Sequence, residues 1–161
     1  MFFKKKVPIP DYCDATMKTV FGKDQEATWE TFRASCNDDD LTSADAKQYY
    51  NHLRTAFIQL MLIAIAKNCR WDVSSEAHVF VMIWLKEAGY SEIQAMGSQY
   101  SQAFASSRND GVLAMAEHFA DNVSGSQLRQ ETIERLNVEF YGMLKVFYED
   151  FKSVKLTSTK R

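Results

Sequence analysis

The 161-residue sequence predicts one all-α domain: a helical bundle of about seven helices, two of them buried and central, with a long C-terminal helix. Three observations predict it. After Pro8 and Pro10 the chain holds no proline, the strongest helix breaker. Apolar residues recur at spacings of three and four through most segments, the period of a helix face. Only Val79–Leu85 reads as a strand candidate, and a strand without a partner is not viable. A hydrophobic fraction of 46% in a chain of this length fills a core without metal or disulfide staples.

The first helix, about Asp11 to Phe21, carries Cys13, Met17, Val20 and Phe21 on one face and stops at Gly22. The second, about Asp24 to Ser35, sets Trp29 and Phe32 against a polar face of Glu26, Glu30 and Arg33. The loop that follows, with Asp38, Asp39 and Asp40, reads as solvated. The third helix, about Ala44 to Lys67 with Ser43 as its cap, becomes apolar on every face from Phe57 onward. Its apolar run is shorter than the ~20 residues a bilayer span needs and contains Gln59, so it reads as a core helix.

The fourth helix, about Ser75 to Ala88, is capped by Ser74, ended by Gly89 and expected inside with the third. Ser91 and Gln94 are spaced as a capping box for the fifth, about Glu92 to Ser107. On it Gly97, Ser101 and Ala105 recur every four residues and permit close helix–helix approach. The sixth, about Asp110 to Asn122, buries Val112, Met115, Ala116 and Phe119; the turn "NVSGSQ" follows. The seventh, about Leu128 to Lys155, holds Ile133, Leu136, Phe140, Met143, Leu144, Phe147, Phe151 and Val154 at three-four spacing, with Tyr141 and Tyr148 on its flank. Residues 1–10 and 156–161 read as frayed tails.

Formal net charge is -2 and no basic stripe occurs, which argues against nucleic-acid binding. The basic stretch Phe2–Lys6 reads as a solvated start, with weak contact to an anionic lipid surface as its alternative. Cys13, Cys36 and Cys69 form no CxxC pair and read as free thiols of a reducing cytoplasm. No metal or cofactor is expected. His52, His78 and His118 never pair at four-residue spacing, no Glu-x-x-His occurs, and Asp38–Asp40 do not begin a calcium loop. His118 stands beside Glu117 with Asp121 three residues on, which reads as an exposed, weakly paired imidazole.

His52, Thr55 and Gln59 are the candidate ligand residues. Offsets of three, four and seven put them on one side of the third helix, and His78 at the start of the fourth is a candidate to join them. Two functions follow. The first is a non-enzymatic interaction protein that associates with itself through Tyr141 and Tyr148. The second is a small-ligand or sensor domain built around His52 and Gln59. An enzyme ranks behind both.

Overall fold

The computed structural model describes residues 4–124 and 127–159; the Phe2–Phe3 part of the basic start and Gly125–Ser126 of the turn lie outside them. The described chain is 80% helical, with eight α-helices and one two-stranded sheet. In chain order these are β1 (Lys5–Pro8), α1 (Ile9–Val20), α2 (Lys23–Ser35), α3 (Asp39–Ser43), α4 (Ala46–Asn68), α5 (Trp71–Glu87), α6 (Ser91–Ser106), α7 (Gly111–Val123), α8 (Gln130–Ser153) and β2 (Val154–Thr157). No described helix is long and apolar enough to cross a membrane.

The centre of the molecule is α4, buried on every face and in contact with α1, α5, α6, α7 and α8. Its cap is Asp45, which accepts from the Gln48 N–H at 2.9 Å, rather than Ser43, which closes the short α3. The second helix expected inside, α5, buries one stripe: Val73, Glu76, Ala77, Val81 and Leu85. Val79 and Ile83 face outward because α5 meets its neighbours α1, α4 and α6 on one side. Neither serine cap forms: α5 starts three residues before Ser74, and α6 is preceded by Tyr90, with no side-chain cap. Helix α8 presents Leu136, Phe140, Leu144, Phe147 and Phe151 to the core as its spacing predicts.

The tails are a correction. β1 and β2 pair in parallel, Lys5 with Val154 through Pro8 with Thr157, which joins the two ends of the chain. Lys4 donates to the Phe151 carbonyl at 2.6 Å, near the C-terminal end of α8. Leu156 is buried, and Thr159 donates its N–H to the buried Glu76 carboxylate at 3.0 Å, with the Ser158 and Thr159 hydroxyls donating to the same group. An extended segment that finds backbone partners and buries an aliphatic side chain does not fray.

The acidic loop is a second correction. Asp38 is 2% exposed. One of its oxygens accepts from the Asp40 and Leu41 N–H groups and so caps α3. The other accepts from the Arg129 N–H at 3.0 Å and the Thr132 hydroxyl at 2.6 Å, at the start of α8. Burial opposes its charge, but these four donors outweigh it and hold the carboxyl below the usual range. The preceding Asn37 takes a left-handed backbone (φ 50), which asparagine tolerates. Asp38→Ala strands these donors and should cost about 3 kcal/mol in urea unfolding. A loss below about 1 kcal/mol would show that the loop does not hold α8.

Candidate functional site

Because α4 is enclosed, each polar side chain on it must find a partner inside the protein. Arg54 reaches Glu26 of α2 and lies 4.8 Å over the Phe21 ring. Asn51 donates to Glu92 of α6 at 3.1 Å. Thr55, a candidate from its spacing, is buried and donates to the Asn51 carbonyl of its own helix at 2.7 Å.

His52 is likewise held in the core. Its Nδ1 lies 2.9 Å from the Tyr100 hydroxyl, and its ring stands edge-on to Phe119. Tyr100 is fully buried with no other hydrogen-bond partner among the described residues, so its O–H donates to Nδ1 and the imidazole proton sits on Nε2. Burial, with a smaller contribution from the neighbouring His118, pushes the His52 pKa down to about 4. His52 is therefore neutral near pH 7. It borders a shallow cleft of about 490 Å³ with Lys47, Asn51, Glu92 and Met96, where Lys47 and Glu92 pair at 3.1 Å.

Gln59 differs from all of these. Its side chain is 6% exposed, yet neither end of its amide has a hydrogen-bond partner among the described residues. Both ends retain access to a separate cleft of about 370 Å³ between α4, α5 and α6. Gly97 of α6 makes the room: a Cβ there would come 2.7 Å from the Gln59 Nε2. That is the close approach the small-residue repeat of α6 predicts.

The cleft brings together Gln59 and His78 but not His52 or Thr55. Spacing set His52, Thr55 and Gln59 on one side of the helix; the partners of His52 and Thr55 divide them. The remaining wall comes from residues that sequence reasoning missed: Ser74 and Ser75 of α5, Ser101 of α6, and Trp71 at the first position of α5. The Ser74 and Ser75 hydroxyls have no protein partner among the described residues, whereas Ser101 donates to the Ser98 carbonyl. Leu62, Ile63 and Val79 supply apolar surface, and Trp71 is 82% exposed at the mouth. An all-round apolar Val79–Leu85 run hid which side of α5 would face this cleft. Among the described residues no group of three or more His, Cys, Asp or Glu is placed to hold a metal.

The flank tyrosines are both engaged. Tyr141 donates to the Asp110 carboxylate at 3.0 Å, where Asp110 also caps α7, and Tyr148 packs half-buried on the core. His118, expected exposed, is half-buried, edge-on to Tyr100 and bonded to Asn122.

The two polar residues of α4 should respond oppositely to loss. His52→Leu strands the Tyr100 hydroxyl and should cost ~1–3 kcal/mol, whereas Gln59→Leu strands nothing and should be neutral or stabilising. Denaturant unfolding checks both. The His52→Leu gap should also narrow below about pH 6.5, the usual imidazole value, because the unfolded wild type then gains a proton that the folded state refuses until about pH 4. A gap independent of pH would contradict the buried neutral imidazole. Compared with family models, curated proteins and solved structures, the chain matches none.

Proposed function

We propose that the protein is a non-enzymatic binding domain whose α4–α5–α6 cleft holds a small uncharged molecule by a carboxamide or lactam edge. One observation carries this reading: the Gln59 amide, buried in side-chain area but unpaired at both ends, turned onto a cleft. An amide presents a donor and an acceptor side by side, and a second amide edge satisfies both at once. Water reaches both ends from the cleft, so a matching ligand gains only the net worth of each hydrogen bond that replaces water, about 0.5–1.5 kcal/mol.

The rest of the wall fits the same chemistry. Among the described residues no Lys, Arg, Asp or Glu lines the cleft, so a charged ligand would surrender its hydration without meeting a countercharge. The Ser74 and Ser75 hydroxyls can each donate and accept. The aliphatic wall and the Trp71 ring suit a flat apolar body. Its volume lies within the ~300–1,000 Å³ of small-molecule sites. No hydrogen bond among the described residues couples a cleft serine to His78, so the site offers no activated nucleophile.

Benzamide, benzoate and benzamidinium share one shape and differ in charge, which makes them the probes. Benzamide should shift the Gln59 side-chain and Trp71 indole NMR signals with about millimolar affinity, and the two ions should bind at least about tenfold more weakly. Gly97→Ala displaces the Gln59 amide, the far end of a flexible side chain, while favouring the helix. It should weaken benzamide about tenfold without loss of melting temperature. Equal binding of all three probes, or benzamide binding unaffected by Gln59→Leu, would overturn the proposal.

A further inference from the structure

The outer face of α8 is the largest apolar feature of that helix that the fold leaves uncovered, and it is built around a glycine. Val138 is 68% exposed and Val146 56% exposed, with Gly142 midway between them. Nothing lies within 4 Å of the position a Gly142 Cβ would take. Arg135 and Glu149 extend the same face, so its members Arg135, Val138, Gly142, Val146 and Glu149 are spaced three, four, four and three. The spacing reads the same from either end, while the charges at its two ends are opposite; within the monomer Arg135 donates to Ser35, and Glu149 accepts from Lys152 of its own helix.

We infer that α8 pairs antiparallel with its copy about a twofold axis at Gly142. In such a pair, residues equally far from Gly142 come to one level. Val138 then meets the partner's Val146 about 6 Å from the axis, and Arg135 meets the partner's Glu149 about 10 Å from it. Each contact occurs twice, so the face is complementary to itself in shape and in charge. A parallel pair would instead set Arg135 on Arg135 and Glu149 on Glu149. Gly142 lets the two backbones approach closely where any side chain would hold them apart.

The occupant is a second copy because the charge pattern answers itself. This surface replaces the Tyr141–Tyr148 shoulder: Tyr141 is tied to Asp110 and Tyr148 lies against the core, whereas Val138, Gly142 and Val146, some 100° further round the helix, are open. The ligand cleft lies elsewhere, between α4, α5 and α6, so the two inferences stand or fall separately.

Contact along one helix of this length is at the small end of stable interfaces, so association should appear at about 10–100 µM protein. Sedimentation equilibrium of the full chain over that range should show a monomer–dimer equilibrium. Gly142→Lys meets open space in the monomer and should give a monomer with an unchanged helical spectrum. Arg135→Glu should also give a monomer, and Arg135→Glu with Glu149→Arg should restore the dimer. That rescue separates the contact from Arg135's own bonds to Ser35, which the double variant still lacks. A monomeric wild type, a dimer that survives Gly142→Lys, or failure of the charge-swapped pair to reassociate would overturn the inference.

Discussion

The enclosure of α4 is the constraint from which the rest of the structure follows. A helix buried on every face has no water to offer its polar side chains, and α4 carries five such groups between Asn51 and Gln59. Four find a partner within the protein: Asn51 in Glu92, His52 in Tyr100, Arg54 in Glu26 (its Nε has none among the described residues), and Thr55 in a carbonyl one turn back. These bonds fix which faces of α2 and α6 meet α4 and in what register. Gln59 is the exception. Native interiors leave few polar groups unpaired, and an unpaired one at the wall of a cleft is where a protein stores affinity for something else.

Around α4 the chain is closed by contacts far apart in sequence. The β1–β2 pair joins its two ends, Glu76 collects the residues beyond β2, and Asp38 ties the α2–α3 loop to the start of α8. Arg33 does similar work between helices: it donates to the Leu41, Thr42 and Ala44 carbonyls while lying 4.8 Å over the Tyr49 ring. The cleft residues therefore ride on three packed helices rather than on loops. Side chains held this way are pre-positioned, and binding need not order them first.

The all-α class, the enclosed α4 and the inward stripe of α8 were legible because each is a periodic pattern many residues long. The unusual placement of Gln59 was legible for the same reason, as one polar residue inside an apolar run. What was not legible depends on partners distant in the chain. Lys5–Pro8 and Val154–Thr157 are four residues each, and nothing local in "KKVP" or "VKLT" reveals that they meet. Asp38 looked like any acidic loop residue until Thr132 and the Arg129 N–H arrived from α8. His52 and Gln59 share a helix face, yet Tyr100 of α6 takes one and Gly97 makes room for the other. Caps misled where two candidates stood close together, as with Ser43 and Asp45.

Among the buried polar side chains of α4, Gln59 alone makes no hydrogen bond to any described residue. A crystal structure at about 1.2 Å resolution tests it most directly, since amide orientation and ordered water are then assigned with confidence from the density and its contacts. No protein atom should lie within hydrogen-bonding distance of either end of the Gln59 amide, and water or a bound molecule should contact it from the cleft. Protein donors and acceptors meeting both ends of that amide would contradict it.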